Sequence, residues 1–217
     1  MVRRSALVLA VALTLPLLAA PMVVDLSGTY NVTGMNPDGS AYEGTLSITR
    51  DGGLYRLHWV AGAEYHGVGL EAGGFFAAAY GAETCGVVAY RIGEDGSLSG
   101  TWGYLGGAGI GTEQATRDGR GRDLGGTYAV TGTNPDNTDG SPYEGTLTIT
   151  PHGDVYELTW ETGATSVGVG LRDGDMVAAT YGGEDCGVVA YRSRNGGLEG
   201  TWATYGSDGI GTERASR

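Results

Sequence analysis

An internal repeat is the feature of this 217-residue sequence that most constrains its fold. The segment LSGTYNVTGMNPDGSAYEGTLSIT at 26–49 returns, with a longer loop, as LGGTYAVTGTNPDNTDGSPYEGTLTIT at 124–150. The heptapeptide CGVVAYR occurs at 85–91 and again at 186–192. Two copies are too few and too long for a solenoid, which needs shorter units and at least three of them. Each copy is therefore expected to be a small domain.

The repeat divides the chain into four parts. Residues 1–24 contain two arginines followed by an apolar run, which predicts a signal peptide or an uncleaved N-terminal anchor. Residues 25–117 form unit 1, the polar segment 118–123 is a linker, and residues 124–217 form unit 2. We therefore predict an exported bacterial protein, periplasmic or secreted, in which each unit is a β-barrel.

Composition and alternation predict an all-β chain. Glycine contributes 42 of the 217 residues, far above the usual level of about 7%. Period-two patterns such as Tyr55, Leu57 and Trp59 alternate with turn sequences such as NPDG at 36–39. Each unit reads as eight short strands joined by hairpins, and such a meander closes most simply into an up-and-down barrel. The prediction is two tandem antiparallel eight-stranded barrels, with a flattened barrel or sandwich as the alternative.

The charge of the chain excludes some partners. The net charge is −12, and a surface of this sign repels nucleic-acid backbones and anionic lipid. The predicted strands are too short, and too polar on their outer face, for an outer-membrane barrel. We expect no nucleic-acid partner, and no membrane contact apart from the N-terminal anchor alternative.

The strand motifs carry a family resemblance. LSGTY at 26–30, YEGTL at 42–46, LSGTW at 98–102 and LEGTW at 198–202 resemble the Gly-Thr-aromatic strands of the avidin and streptavidin group. That group belongs to the calycin barrels, which include the lipocalins. The repeat as a whole also resembles uncharacterised exported bacterial proteins, some labelled fibronectin-binding. The resemblance implies small barrels in tandem, and biotin-contacting residues are not carried over from it.

The two cysteines occupy equivalent positions, one in each unit. Cysteines outside the cytosol usually pair, and one per unit rules out a bond within a unit. Three alternatives remain: a bond between Cys85 and Cys186, buried thiols, or bonds between molecules. Equivalent positions can meet if the units pack about a pseudo-twofold axis. No histidine is shared between the copies to activate a catalytic thiol.

Histidines and carboxylates give no catalytic or metal motif. His58 aligns with Thr159 and His66 with Val167, so we expect solvated strand residues, and no zinc-ligand spacing exists. Glu113 follows Thr112, which we assign to the inner face, so alternation places Glu113 outside the barrel. No catalytic residue, metal or cofactor is predicted.

Aromatic side chains that share the inward phase supply the candidate ligand-binding residues. Their simplest role is core packing, but at a barrel mouth they would stack on a small planar or sugar-like ligand. Tyr42 and Tyr143 share the same inward phase. The candidate ligand-binding residues are Tyr30, Tyr55, Trp59, Trp102, Tyr128, Tyr156, Trp160 and Trp202.

The sequence therefore favours a non-enzymatic binding protein. Its tandem modules would bind a small ligand, or an extracellular protein or glycan. The alternatives are an enzyme with an active site in a barrel mouth, and a structural envelope protein without a discrete ligand. A binding protein predicts a pocket that reaches the tryptophans, whereas a structural protein predicts filled barrels.

Overall fold

The computed structural model describes residues 25–118, 121–137 and 139–217. All the regular secondary structure of these residues is β-strand. The N-terminal segment 1–24, predicted as a signal peptide or anchor, lies outside the described residues. Residues 25–118, 121–137 and 139–217 contain no helix that is long and apolar enough to cross a membrane.

Sixteen strands occupy the described part of the chain. The first repeat contributes β1 (Gly28–Met35), β2 (Ala41–Asp51), β3 (Leu54–Ala61), β4 (Ala63–Ala72), β5 (Phe75–Tyr80), β6 (Gly86–Ile92), β7 (Leu98–Gly103) and β8 (Gly111–Thr116). The second contributes β9 (Gly126–Thr133), β10 (Pro142–His152), β11 (Val155–Glu161), β12 (Thr165–Asp173), β13 (Met176–Tyr181), β14 (Gly187–Arg194), β15 (Gly197–Thr204) and β16 (Gly211–Ser216).

These strands form two closed barrels of eight antiparallel strands each. Barrel 1 has the circular order β1-β2-β3-β4-β5-β14-β15-β16, and barrel 2 is the meander from β6 to β13. Pairing of β16 with β1 closes barrel 1, and pairing of β13 with β6 closes barrel 2. The prediction of two eight-stranded up-and-down barrels is confirmed.

The barrels and the repeats have different boundaries, which corrects the predicted domain division. Barrel 2 is inserted between β5 and β14 of barrel 1, so units 25–117 and 124–217 do not each close a barrel of their own. The last three strands of each repeat complete the barrel that the other repeat begins. The strands on either side of the predicted linker 118–123, β8 and β9, pair with each other within barrel 2. Residues 119 and 120 of that linker lie outside the described residues.

This arrangement, in which each repeat gives its last three strands to the other barrel, is a strand exchange. Each strand at the exchange point pairs with the equivalent of the strand that follows or precedes it in its own repeat. Ala77 of β5 pairs with Ala190 of β14, and Ala178 of β13 pairs with Ala89 of β6. Strands β6 and β14 both begin with GVVAYR, so each offers the same hydrogen bonds and the same inward side chains. Strand sequence alone therefore does not select between the two partners.

Two crossing segments carry the chain between the barrels: 81–85 connects β5 to β6, and 182–186 connects β13 to β14. A disulfide joins them through Cys85 and Cys186, whose Cα atoms are 5.7 Å apart. Of the three cysteine arrangements left open by the sequence, the structure contains the bond between the two units. This bond is consistent with an oxidising compartment outside the cytosol.

The crossing segments pack backbone against backbone. Gly81 has φ of 124°, and a Cβ atom there would lie 2.3 Å from the carbonyl oxygen of Asp185. Gly182 has φ of 116°, and its Cβ would lie 2.4 Å from the carbonyl oxygen of Thr84. Only glycine provides both the positive φ and this closeness at the crossing.

The apolar side chains form three cores. One fills each barrel, and each contains a fully buried tyrosine, Tyr191 in barrel 1 and Tyr90 in barrel 2. The third lies between the barrels and consists of outward side chains from both walls, including Val68, Leu70, Phe75, Val87, Val169, Leu171, Met176 and Val188. Burial of apolar surface between the walls holds the two barrels side by side.

An arginine covers one end of each barrel, here called the closed end. In barrel 1 the guanidinium of Arg217 lies 5.0 Å from the ring centre of Tyr30, and its Nη2 donates a 2.8 Å hydrogen bond to the Tyr30 hydroxyl. In barrel 2 the guanidinium of Arg117 lies 5.2 Å from the ring centre of Tyr128. Tyr30 and Tyr128 are buried at these ends, away from the mouths, so they pack the core.

Candidate ligand-binding site

A buried carboxylate lies beneath the open end of barrel 1, here called its mouth. Glu213 of β16 is only 8% exposed. Its Oε1 accepts hydrogen bonds from the Tyr191 hydroxyl and from Trp59 Nε1 at 3.1 Å, and its Oε2 accepts one from the Tyr42 hydroxyl at 2.8 Å. Three neutral donors from three other strands thus supply the hydrogen bonds that an ionised carboxylate needs when it leaves water.

Barrel 2 repeats this arrangement with equivalent residues. Glu113 is 4% exposed and accepts hydrogen bonds from the Tyr90 hydroxyl, from Trp160 Nε1 at 3.2 Å and from the Tyr143 hydroxyl at 2.7 Å. The carboxylate and the tyrosine beside it come from one repeat, Trp160 and Tyr143 from the other. Each site therefore combines residues of both repeats.

The prediction that Glu113 lies outside the barrel is wrong. In β8 the buried residues are Gly111, Glu113 and Ala115, whereas Thr112 is exposed. The error lay in the phase of the alternation, because Thr112 was assigned to the inner face. The second repeat contained the correcting signal: Arg214 follows Glu213, and an arginine at that position belongs on the solvent face.

The mouth of barrel 1 opens into a cavity of about 540 Å³ above Glu213. Its walls are mainly aromatic: Tyr42, Trp59, Tyr65, Tyr80 and Trp202. The turn from Ala61 to Ala63 and the Asn36–Pro37 loop form part of the rim. A concave, largely apolar space of this size with a few polar groups is the usual form of a small-ligand site.

The mouth of barrel 2 is covered by Tyr104, the counterpart of Thr204 in the cavity of barrel 1. Tyr104 stacks on Trp102, with ring centres 6.4 Å apart and planes 22° apart. Its hydroxyl donates to the carboxylate of Asp136, whose Oδ1 also accepts a 2.5 Å hydrogen bond from the backbone N–H of Ala108. This bridge links the loops on two sides of the mouth, and the Thr204 position of barrel 1 cannot form it with an aromatic ring.

The four predicted tryptophans lie at the barrel mouths, but the two that share a mouth come from different repeats. The sequence placed Trp59 with Trp102 in one unit and Trp160 with Trp202 in the other. In the structure, Trp59 and Trp202 line one cavity, and Trp160 and Trp102 belong to barrel 2. Of the remaining predicted residues, Tyr55 is buried in the core of barrel 1, and Tyr156 packs against the core of barrel 2.

The candidate ligand-binding set omitted Tyr65, Tyr80, Tyr42 and Glu213, all of which line the cavity. Of these, Tyr42 was placed on the inward face from its alternation, and Tyr80 recurs in the second repeat as Tyr181, which was a usable signal. Tyr65 has Ser166 as its counterpart, so comparison of the repeats could not identify it. Its ring contacts Tyr80 edge to face, with centres 5.6 Å apart.

The two tryptophans of the barrel 1 mouth have different roles. Trp59 Nε1 donates to Glu213, as described above. Among the described residues, the indole N–H of Trp202 has no hydrogen-bond acceptor, and the same holds for Trp102 in barrel 2. A Cβ atom at Gly211 would lie 2.4 Å from Trp202 Nε1, so this ring lies flat against the glycine backbone. Trp202 therefore contributes mainly an aromatic surface to the cavity.

The tyrosines around each carboxylate remain protonated over a wide pH range. Burial, and then the charge of Glu213, raise the pKa of the Tyr42 and Tyr191 hydroxyls. Burial and the charge of Glu113 do the same for the pKa of Tyr143 and Tyr90. These hydroxyls therefore act as hydrogen-bond donors and not as general bases at neutral pH.

Searches of protein-family models, curated proteins and solved structures yield no match to this chain. At the level of architecture, two closed eight-stranded antiparallel barrels fit the calycin-like tandem fold that the strand motifs implied.

Proposed function

We propose that this protein is an exported, non-enzymatic binding protein whose ligand site is the mouth of barrel 1. The ligand is a small molecule with a planar or sugar-like ring and no negative charge. The observation that carries the proposal is the open aromatic cavity of about 540 Å³ directly above Glu213.

The aromatic walls supply the binding surface. Tyr65, Tyr80, Tyr42 and the two tryptophans present both faces and edges to the cavity, with Trp59 and Tyr80 edge to face at 6.1 Å. Rings of this kind bind planar or sugar-like groups by stacking, and their hydroxyls add hydrogen bonds. An eight-stranded barrel is wide enough for packed side chains or for one small ligand. In barrel 1 the side chains of the core fill the interior and the cavity lies at the mouth.

The electrostatic environment disfavours anions. Glu213 is the only acidic or basic side chain among the residues described as lining the cavity, and its hydrogen-bond donors are neutral. The chain as a whole carries a net charge of −12. A negative group in the cavity would meet uncompensated repulsion, whereas the electron-rich faces of Tyr and Trp attract cations.

The donor set supports binding more than catalysis. A glycosidase-type site needs two carboxylates on either side of the substrate. The residues described as lining this cavity include one carboxylate and no histidine. Glu213 already accepts three hydrogen bonds, and these described partners hold its carboxylate in a fixed position.

Tryptophan fluorescence of the purified protein tests the proposal. The titrants are phenyltrimethylammonium, methyl glucoside and the anion benzenesulfonate. We expect a saturable change with one of the first two and none with benzenesulfonate. Thr204→Tyr should abolish the change, since the new ring would cover the mouth as Tyr104 does in barrel 2. Thr204→Val, which keeps the side-chain shape, should retain it.

The reciprocal variant makes the test symmetrical. Tyr104→Thr removes the cover from barrel 2 and should add a second binding event per molecule. Far-ultraviolet circular dichroism of each variant establishes that the barrels are intact. Three results would overturn the proposal: no saturable change with either titrant, unchanged binding in a folded Thr204→Tyr variant, or preferential binding of benzenesulfonate.

A further inference from the structure

We propose that His58, Glu64 and His66 form a binding site for a divalent transition metal on the outer wall of barrel 1. This inference is independent of the proposed ligand site, because these three side chains lie on the opposite face of the β3–β4 hairpin from Trp59 and Tyr65. The expected metals are Zn²⁺, Ni²⁺ and Cu²⁺.

Strand pairing brings the three side chains together. His58 of β3 pairs directly with His66 of β4, and Glu64 lies two residues before His66 on the same face. The two imidazole rings are stacked, with centres 4.6 Å apart and planes 4° apart. Spacing along the sequence gives no metal motif here, because the second histidine comes from the neighbouring strand and not from the same one.

The distances suit a shared metal ion. Glu64 Oε1 lies 2.8 Å from His58 Nε2 and 3.6 Å from His66 Nε2. One donor atom from each of the three residues lies within 4.8 Å of the other two. Two ligands of a tetrahedral zinc ion, each about 2 Å from the metal, are about 3.3 Å apart. Because the two rings are stacked in parallel, binding requires side-chain rotations that turn a nitrogen lone pair of each ring toward the ion.

The donor types select the metal. Two imidazole nitrogens and one carboxylate oxygen favour Zn²⁺, Ni²⁺ or Cu²⁺ over Mg²⁺ and Ca²⁺, which prefer oxygen ligands. The side chains of His58, Glu64 and His66 are 39%, 63% and 70% exposed, so an ion reaches them directly. The positive charge of Arg56, two residues before His58 on β3, is compensated by Asp51, whose carboxylate lies 2.8 Å from the guanidinium.

The second barrel provides the matched control. Its equivalent residues Thr159, Thr165 and Val167 have the same pairing register, with Thr159 opposite Val167. Barrel 2 therefore has the same wall geometry with non-ligating side chains. Replacing each ligand by its counterpart gives the variant His58→Thr, Glu64→Thr, His66→Val, whose new residues already occur in a β-hairpin of this fold.

The test is isothermal titration calorimetry of the untagged protein with ZnCl₂ and NiCl₂, and in parallel with MgCl₂. We expect one equivalent of Zn²⁺ or Ni²⁺ to bind, Mg²⁺ not to compete, and the triple variant to bind at least on the order of 100-fold more weakly. His152→Gln should leave binding unchanged, since His152 lies at the end of β10 in barrel 2 and its Nε2 is 2.7 Å from Asp208 Oδ1. Placing His, Glu and His at 159, 165 and 167 should add a second equivalent.

Absence of binding to the wild-type protein, or equal binding by the folded triple variant, would overturn the metal site. The electron paramagnetic resonance spectrum of bound Cu²⁺ gives a second readout, because two imidazole ligands produce nitrogen hyperfine splitting. A spectrum without nitrogen ligands would also count against the site. None of these outcomes affects the proposal for the barrel 1 mouth, whose test uses organic titrants and variants at other positions.

Discussion

Cys85 and Cys186 are bonded to each other at the one place where the two barrels exchange strands. Each cysteine is the last residue of a crossing segment, and the strand that follows it belongs to a different barrel from the strand that precedes the segment. The bond therefore ties together the two connections on which the exchanged topology depends.

Removal of this bond should lower stability without abolishing the fold. The bond closes a loop with a sequence separation of 101, and cross-linking a loop of this length restricts the unfolded chain by up to about 4.7 kcal/mol. We expect Cys85→Ser, Cys186→Ser to reduce the free energy of unfolding by about 2–5 kcal/mol. Urea unfolding monitored by circular dichroism measures this free energy. Dithiothreitol should destabilise the wild type to the same level and leave the variant unchanged.

Paired cysteines test the strand exchange itself. Thr33 of β1 pairs with Arg214 of β16, and both are exposed. If each repeat closed its own barrel, Thr33 would instead face Gln114 of β8. In the background without Cys85 and Cys186, we expect Thr33→Cys, Arg214→Cys to form an intramolecular disulfide. The matched pair Thr33→Cys, Gln114→Cys should not form one.

Mass spectrometry of alkylated, non-reduced peptides measures both pairs. Efficient bonding between positions 33 and 114, with none between 33 and 214, would contradict the exchanged topology. The native disulfide must be absent in this experiment, because otherwise thiol exchange with Cys85 or Cys186 would scramble the result.

The two buried carboxylates should contribute more to the free energy of unfolding than carboxylates on the surface. In Glu213→Gln, the amide group keeps one acceptor oxygen but loses the charge that strengthens the bonds from Trp59 and Tyr191. We expect a loss of about 1.5–3 kcal/mol in the free energy of unfolding, and a similar loss for Glu113→Gln. Glu43→Gln on the exposed face of β2 is the control and should change stability by less than about 0.5 kcal/mol. Equal losses in the free energy of unfolding for Glu213→Gln and Glu43→Gln would refute this structural role of the buried carboxylate.

Alkaline titration should reveal the buried tyrosines. Burial raises the pKa of several tyrosine hydroxyls above the ordinary value of about 10, and it does so most strongly for six: Tyr42, Tyr80, Tyr90, Tyr143, Tyr181 and Tyr191. Above pH 10 the unfolded chain releases these protons and the folded chain keeps them. Stability is therefore complete below about pH 10 and falls as pH rises further.

The measurement is absorbance at 295 nm, which reports phenolate, together with near-ultraviolet circular dichroism. We expect the exposed tyrosines to ionise first, and these six to ionise only as the tertiary signal is lost. Ionisation of all 13 tyrosines near pH 10 with an intact tertiary signal would show that the six are accessible to solvent.

Much of the fold was predictable from local sequence. Alternating aromatic residues such as Tyr55 and Trp59, and turns such as NPDG, were enough to predict strands and closed eight-stranded barrels. They did not predict that β5 pairs with β14 and β6 with β13. The candidate site was only partly predictable. The tryptophans at the mouths were identified, but the two carboxylates beneath them were missed through a one-residue error of phase, and in a strand such an error reverses every side chain.

The sequence by itself determined that the chain forms sixteen short strands in two similar sets, with aromatic side chains inside eight-stranded barrels. Those properties depend on period-two alternation and turn chemistry, which act over a few residues. Tertiary structure decided which copy of β6 or β14 completes each barrel, because both copies contain the same strand sequence. It also decided that His58 meets His66, and that Thr204 leaves one mouth open where Tyr104 covers the other. Each depends on residues far apart in the chain or on neighbouring strands, so only three-dimensional packing brings them together.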